Sequence, residues 1–196
     1  MSAPELTTKF DFEEFKKFAT EEEGWKFNVE KHNVKAYTRT IPGSSLNVSK
    51  GVAVIDAPLE KVLEVIVAAE KRPEWDKLTA ECREVRAISD VEKIWYMKTV
   101  NAFMVSSRDF VIHFKLQKDE ATGAVVSLVK TEEPKEEIPP QKGCVRGKVI
   151  NSGYVIEPVE GDPQKTSIIY VIQRKYKNII VKDLFILFYF YFYFYF

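Results

Sequence analysis

A basic and an acidic side chain stand four residues apart in the segment RPEWD, residues 72–76, with a tryptophan between them. If this segment is helical, Arg72 and Asp76 lie one turn apart on the same face and can form an ion pair. Trp75 would then pack inward. One role of such a pair is structural, because an ion pair at a helix end fixes the turn that follows.

A second charged pair occurs in Arg108-Asp109-Phe110, which opens a predicted strand. Two roles fit these residues. The charges can face an internal cavity, or they can hold the strand to its neighbour in the sheet. We favour the structural role, since buried charges are most often paired within the protein.

Residues for catalysis or metal binding form no recognisable motif. His32 and His113 are the only histidines and lack metal-ligand spacing, and Cys82 and Cys144 are too far apart for a zinc pattern. The sequence contains no G-x-S-x-G, no P-loop and no G-x-G-x-x-G. The glutamates within residues 132–137 flank a proline in a stretch that water would solvate, which disfavours acid–base catalysis. We therefore assign no catalytic residue, no metal ligand and no cofactor.

The composition is that of an ordinary globular protein. Of the 196 residues, 30% are charged and 45% are hydrophobic, and the formal net charge is zero, which argues against a nucleic-acid binder. Two cysteines make no disulfide framework and fit a reducing cytosol. The start, MSAPELTTKF, lacks the basic and apolar regions of a secretory signal. We predict one domain in a monomeric, cytoplasmic protein.

Two segments have helical periodicity. Residues 5–20 carry apolar side chains at a loose helical spacing, which predicts an N-terminal helix within residues 1–20. The stronger pattern is DAPLEKVLEVIVAAE, residues 56–70, where Asp56 is a good N-cap and Pro58 suits the first turn. Its apolar side chains form one face, as expected for a helix that packs on a core.

Most of the remaining chain has strand patterns. Three strands precede the long helix and about six follow it, with turn residues such as His32-Asn33 between them. The predicted strands are 25–29, 34–40, 46–55, 80–88, 93–100, 109–117, 124–131, 145–158 and 165–173. A meander of about nine antiparallel strands that curls round one helix is an α+β fold, and such a sheet often encloses a ligand cavity.

On this pattern the sequence resembles the START domain, the lipid-transfer fold related to the steroidogenic acute regulatory protein. The segments that carry the resemblance follow the family's order over residues 20–173: EGWKFNVEKHNVKAYTR (23–39), RPEWDKLTAECREV (72–85), VSSRDFVI (105–112), CVRG (144–147) and GYVIEPVEGDPQKTSIIYV (153–171). The resemblance implies a helix-grip fold, with a curved nine-stranded sheet around a long helix and a C-terminal helix as a lid. It also implies that one sterol or phospholipid binds in an internal cavity and is transferred without a chemical reaction.

The resemblance gives Arg72 a second possible role. In family members with this pattern, an arginine at this position contacts the polar head of the lipid inside the cavity. The structural role of the Arg72–Asp76 pair and this ligand-binding role are equally weighted by the sequence.

The aromatic residues bear on which lipid is bound. Phosphatidylcholine carriers of the family surround choline with aromatic rings, and the corresponding positions here are Met97, Phe110 and Ile150. Trp95 lies two residues before Met97 and is a possible substitute. Some relatives carry an arginine where this chain has Phe114, so the cavity is expected to be less polar and to favour a sterol or another weakly polar lipid. The predicted lipid-binding residues are Arg72, Trp75, Asp76, Trp95, Met97, Arg108, Phe110 and Phe114.

The segment VNAFMVSS, residues 100–107, joins two predicted strands. In the family this loop lies beside the cavity mouth and the lid. Phe103, Met104 and Val105 are apolar and would have no core to fill at a loop tip. We predict that they form a gate that touches the membrane during transient contact, and packing against a lid helix is the alternative.

Residues 174–196, which end LFILFYFYFYFYF, depart from the family pattern. The family continues after Gln173 with a turn and a long amphipathic helix, but this segment has neither Gly nor Pro and lacks helical apolar spacing. Its uncharged run is shorter than the roughly 20 residues of a membrane span. We predict an aberrant low-complexity tail from a gene-model or splicing error, after a lipid-binding domain over residues 21–173 with an open cavity.

Two alternative functions remain. One is an enzyme, a cyclase or hydrolase of a hydrophobic substrate, for which Tyr96 and His113 are the candidate residues if they converge inside the cavity. The other is a truncated isoform that keeps the sheet but does not hold lipid.

Overall fold

The computed structural model describes residues 9–41, 47–101, 106–132, 138–139 and 141–173. The helices are α1 (Phe12–Thr20), α2 (Leu59–Ile66) and α3 (Arg72–Trp75), and a 3₁₀ turn at Ala69–Lys71 precedes α3. The strands are β1 (Lys26–Lys31), β2 (Val34–Thr40), β3 (Asn47–Ile55), β4 (Thr79–Ser89), β5 (Glu92–Thr99), β6 (Arg108–Lys118), β7 (Val125–Thr131), β8 (Val145–Arg146), β9 (Ser152–Val159) and β10 (Asp162–Ile172).

The strands form one sheet with the order β1-β2-β3-β10-β9-β7-β6-β5-β4, in which every neighbouring pair is antiparallel. The short strand β8 lies off this path and pairs in parallel with β6. β10 lies between β3 and β9, so the last described strand joins the three N-terminal strands to the rest of the sheet. The predicted α+β fold, a curved antiparallel sheet of about nine strands around a helix, is confirmed.

The two faces of the sheet carry different helices. α2 packs on the face to which Val125 and Ile156 belong. Their neighbours in the sequence, Val126 and Val155, pack with α1 on the opposite face. This alternation follows from the period of two in a strand. We call the face under α2 the inner face and the face under α1 the outer face.

The helix α1 begins later than predicted and is held at both ends by side chains. Asp11 is the N-cap, because its Oδ1 accepts a hydrogen bond from the Glu14 amide at 2.9 Å. At the other end the buried Lys50 Nζ donates to the carbonyl oxygens of Ala19 and Glu21, at 3.1 and 3.0 Å. Burial is the main cause that lowers the pKa of Lys50 to about 8.

The prediction of one helix over residues 56–70 is wrong at both ends. The helix begins at Leu59 with Pro58 as its N-cap, because Ala57 is held beside β10 by a 2.7 Å hydrogen bond from Thr166 Oγ1 to its carbonyl oxygen. Asp56 is therefore not the cap. At the other end Ala68 leaves the helical region with φ −82° and ψ 82°, and the chain continues as the 3₁₀ turn and α3.

The predicted strand over residues 145–158 is also wrong, since it is two strands on different partners. β8 pairs with β6, whereas β9 pairs with β7 and β10. Between them the backbone passes close to the inner-face side chain of Phe110, and a Cβ atom at Gly147 would overlap that ring. The residue that allows this crossing is therefore a glycine.

The predicted turn at His32-Asn33 is confirmed. Both residues have left-handed backbone angles, with φ of 53° and 59°, and they connect β1 to β2. Two consecutive left-handed residues match the right-handed twist of the flanking strands.

A second close approach leads to a stability prediction. A Cβ atom at Gly153 in β9 would overlap the backbone carbonyl oxygen of Ser127 in β7. Since the β7 backbone cannot move without breaking its ladder, we expect Gly153→Ala to lower the free energy of unfolding by about 3 kcal/mol. Denaturant unfolding measures this change.

The matched control is Gly161→Ala, where no atom lies within 4 Å of the new Cβ and only the φ of 77° opposes an alanine. It should cost about 1 kcal/mol. Equal losses for the two variants would contradict a steric contact between β9 and β7.

Candidate functional site

A small cavity lies between the inner face of the sheet and the segment from α2 to α3. Its volume is about 30 Å³. Side chains from both helices and five strands line it, with apolar residues around a few polar ones. The lining residues are Ile66, Arg72, Trp95, Met97, Ile112, Phe114, Ser127, Val129, Val149, Ser152, Tyr154 and Tyr170.

Arg72 brings a charge to this cavity, and Asp76 compensates it. The Arg72 Nε donates to Asp76 Oδ2 at 3.1 Å, and the side chains are 12% and 3% exposed. The same carboxylate accepts hydrogen bonds from Thr79 Oγ1 at 2.6 Å and from the Leu78 amide at 3.1 Å. The pair therefore fixes the turn into β4, while Arg72 also lines the cavity. Both roles considered from the sequence are compatible with this geometry.

The surroundings of Arg72 keep its charge in place. Its guanidinium lies over the Trp75 ring, 4.9 Å from the centroid. Burial by itself lowers the pKa of Arg72, but the neighbouring Tyr154 and Asp76 outweigh it and raise the pKa above its ordinary value. Arg72 is therefore a permanent cation at the edge of an apolar space.

Two tyrosines of the cavity were not predicted. Tyr154 in β9 and Tyr170 in β10 are directly paired across the ladder, and their rings stack with centroids 4.5 Å apart. Burial is the first cause that raises the pKa of the Tyr154 hydroxyl, which stays protonated. Pairing β9 and β10 residue by residue outward from their turn is the sequence signal that could reveal this pair. The register irregularity between Asp162 and Thr166 shifts the two strands, so a symmetric pairing misses it.

Trp95 and Phe114 form a second stacked pair on adjacent strands. Their ring centroids are 4.2 Å apart and the planes differ by 15°. Trp95 is 2% exposed, and its Nε1–H has no hydrogen-bond acceptor among the described residues. Phe114, the position at which some relatives carry arginine, thus holds the tryptophan against the cavity.

Half of the predicted lipid-binding set lines the cavity, namely Arg72, Trp95, Met97 and Phe114. Of the other four, Asp76 and Trp75 contact Arg72, Phe110 packs in the inner-face core, and Arg108 lies at the start of β6. Ile150, one of the positions compared with the choline cage, is 41% exposed and does not line the cavity.

The charges at the start of β6 are arranged differently from the predicted Arg108–Asp109 pair. Asp109 is fully buried and forms two hydrogen bonds with Arg146 of β8, at 3.0 Å from Nε and 2.9 Å from Nη2. Arg108 instead donates from Nη1 to the Ser106 carbonyl oxygen at 2.7 Å. Asp109 belongs to the outer-face residues, so its pair joins β6 to β8 and does not reach the cavity.

The two residues considered for catalysis are buried on the outer face. Tyr96 packs with Ile94 and Val111, and burial is the main cause that raises its pKa to about 12. His113 Nε2 is 2.7 Å from Glu92 Oε1, and the Phe10 ring packs edge-on against the imidazole at 4.7 Å. Neither residue lines the cavity, and the two do not converge there.

Several predictions fall on other parts of the chain. The gate residues Phe103, Met104 and Val105 and the tail over residues 174–196 lie outside the described residues. Within the described part, no group of three or more His, Cys, Asp or Glu residues is placed to hold a metal ion. Among the same residues, every helix is too short or too polar to cross a bilayer.

Comparison with known proteins gives consistent matches. The START domain profile matches residues 5–189. The mouse StAR-related lipid transfer protein 5 is 30% identical over 154 residues, which cover 76% of this chain and 71% of that protein. Rat acetyl-coenzyme A thioesterase is 27% identical over 141 residues, 70% of this chain but 24% of that enzyme. The solved structure of human StAR-related lipid transfer protein 5 has a TM-score of 0.75 at 24% identity, covering 90% of this chain and 84% of the other.

The Asp109–Arg146 geometry leads to a prediction about its role. Asp109→Asn should lower the free energy of unfolding by about 2 kcal/mol, since it breaks a buried ion pair whose arginine is partly exposed. The decrease should be the same with and without lipid, because the pair does not touch the cavity. Denaturant unfolding in the absence and presence of cholesterol measures both quantities.

The control is Glu81→Gln, which removes an exposed ion pair with Arg83 and should change stability by less than about 0.5 kcal/mol. If Asp109→Asn weakened cholesterol binding in protein that remains folded, the purely structural role would be wrong.

Proposed function

Because the chain belongs to the START-domain family, we propose that it binds a single lipid in its interior and transfers it between membranes without catalysing a reaction. The observation that carries this proposal is the cavity under α2 and α3, which is lined by apolar side chains around one compensated cation. Such a lining suits a ligand that is mostly hydrocarbon with one polar end.

The preferred ligand is a weakly polar lipid, a sterol before a phospholipid. Asp76 already neutralises Arg72, so an anionic headgroup would bring an uncompensated charge into a buried site. Phe114 stands where an additional cation would be needed to bind a phosphate. The positions compared with the choline cage supply one aromatic ring, Phe110, and that ring does not line the cavity.

Lipid entry requires the interior to open. The cavity of about 30 Å³ is far smaller than the roughly 300 Å³ at which ligand pockets begin. A lipid that occupies this cavity must therefore separate α2 from the inner face and replace the contacts that Val62 and Ile66 make with it. Binding at this cavity is therefore coupled to its expansion.

The alternative, hydrolysis or cyclisation of a hydrophobic substrate, has less support. The similarity to rat acetyl-coenzyme A thioesterase covers 24% of that enzyme. Tyr96 and His113 lie on the outer face, so they cannot act on a molecule in the cavity. Among the described residues that line the cavity, none is a carboxylate or a histidine.

The remaining parts of the proposal concern cellular context. We place the protein in the cytoplasm as a monomer that contacts membranes transiently, with Phe103–Val105 as the membrane-contacting gate. We also retain the interpretation of residues 174–196 as a splicing or gene-model product, which sequencing of the transcript across codons 173 and 174 would test.

A vesicle assay tests the transfer function. Donor vesicles with a fluorescent sterol or a fluorescent phosphatidylcholine are mixed with unlabelled acceptors, and the transfer rate is compared with buffer. We expect the protein to accelerate sterol transfer several-fold and phosphatidylcholine transfer less. If neither lipid moves faster than in buffer, the proposal is wrong.

Two variants of β7 separate the cavity from the rest of the fold. Val129→Phe fills the cavity and should slow sterol transfer, whereas Val126→Phe adds the same ring on the outer face and should not. Both are compared at a temperature where circular dichroism shows them folded. Equal rates for the two variants would count against transfer through this cavity.

The compensated charge predicts a change in lipid preference. Asp76→Asn leaves the Arg72 cation without its carboxylate, so we expect the ratio of oleate affinity to cholesterol affinity to rise about fivefold or more. The ratio is insensitive to partial unfolding, because unfolded protein binds neither lipid. An unchanged ratio would show that Arg72 does not reach the ligand.

A further inference from the structure

Trp95 carries a buried hydrogen-bond donor that no described residue satisfies. The side chain is 2% exposed, and its Nε1–H lacks an acceptor within the described part of the chain. An indole nitrogen only donates, so a neighbouring donor cannot satisfy it. Because buried polar groups in proteins are rarely left without a partner, this one requires an acceptor from outside the described residues.

Neighbouring side chains on β6 hold the indole ring in place. Phe114 stacks on it at 4.2 Å, and the residue opposite Trp95 in the ladder is Ile112, which also lines the cavity. The side chain therefore cannot turn to water without losing the stack and exposing an apolar surface. The indole ring therefore keeps a fixed position beside the cavity.

Two acceptors at the site are already engaged, and none of the other hydroxyls that line the cavity, those of Ser127, Tyr154 and Tyr170, accepts from the indole N–H. The Asp76 carboxylate accepts from Arg72, Leu78 and Thr79. Ser152 Oγ accepts from the Gln173 amide at 2.9 Å. The remaining space is the cavity itself, whose 30 Å³ is room for about one or two waters.

On the premise of the proposed lipid-binding function, we propose that Trp95 Nε1–H donates a hydrogen bond to an uncharged acceptor oxygen of the bound lipid. A hydroxyl, ketone or ester oxygen at the polar end of the molecule meets this requirement. Trp95 is thus the residue that selects for oxygen at the polar end, beside Arg72, and a water occupies the position when no lipid is bound.

The charge of the site restricts the acceptor to a neutral one. Arg72 and Asp76 compensate each other, and the indole and the two tyrosines that line the cavity are uncharged. A phosphate oxygen would add a negative charge without a second cation. A quaternary ammonium has no acceptor at all, so it would leave the Trp95 donor unsatisfied.

The experiment removes the donor and keeps the ring. Trp95→Phe preserves an aromatic stack on Phe114 but deletes the N–H. Dissociation constants are measured for cholesterol, cholest-4-en-3-one and 5α-cholestane, which carry a hydroxyl, a ketone and no oxygen respectively. We expect about five- to tenfold weaker binding of the first two and an unchanged affinity for the third, in line with the loss of one hydrogen bond.

The matched control is Trp25→Phe, which deletes an indole N–H remote from the cavity that donates to the Phe18 carbonyl oxygen at 3.4 Å. It should leave all three affinities unchanged. A second readout does not depend on any variant: in ¹H–¹⁵N spectra of the wild-type protein, the Trp95 indole proton should move downfield with cholest-4-en-3-one and not with 5α-cholestane.

The outcomes distinguish this inference from the function on which it rests. If Trp95→Phe weakens binding of all three molecules equally, or if the Trp95 indole signal responds alike to ketone and hydrocarbon, Trp95 only packs and the inference is wrong. If the variant loses more affinity for oleate than for cholesterol, the acceptor is a charged oxygen and the inference is also overturned. If the wild-type protein binds none of the lipids, both the inference and the proposed function fail.

Discussion

The arrangement of the interior depends on the burial of one guanidinium. Arg72 cannot lose its proton, so its place at the edge of an apolar cavity requires acceptors close by. Asp76 supplies them one helical turn later, and its remaining lone pairs accept from Leu78 and Thr79 at the start of β4. The same ion pair therefore fixes the length of α3, the direction of the next strand and the polar end of the cavity.

The other side chains that line the cavity are brought together by strand pairings between distant parts of the chain. β10 lies between β3 and β9, and this places Tyr170 beside Tyr154 and opposite the helix α2. β5 and β6 bring Trp95 and Phe114 to the same face by the alternation of side chains. Since the two stacked pairs come from separate hairpins, the cavity exists only when the whole sheet has formed.

The features that the sequence predicted are those with a local physical cause. Alternating side chains located the strands, two left-handed turn residues marked the first hairpin, and a spacing of four residues identified the Arg72–Asp76 pair. The features that it missed depend on contacts between residues far apart in sequence. Arg146 is 37 residues from Asp109, and the helix begins at Leu59 because Thr166 holds Ala57.

In the candidate site, too, the sequence predicted the types of the residues but not the contacts that they make with distant residues. Four of its residues were predicted from types and from resemblance, but Trp95 was expected to contribute an aromatic face. Its stack with Phe114 and the lack of an acceptor for its N–H among the described residues are visible only in the structure. The sequence likewise placed charges at Arg108 and Asp109 without indicating that Asp109 faces β8. Identity of a residue predicts its chemistry, whereas its partner decides which part of that chemistry is used.

Because the cavity is small, the interactions that would give a bound lipid its affinity differ from those that would orient it. A lipid that opens the cavity exchanges contacts between α2 and the inner face for contacts with its own hydrocarbon, so the gain is the extra apolar surface removed from water. This exchange does not depend on which end of the lipid enters first. The polar groups cannot be exchanged in this way, because Arg72 and Trp95 need acceptors in the closed and the open form alike. In the proposed complex they hold the oxygen-bearing end of the lipid, so orientation follows from hydrogen bonding while affinity follows from area.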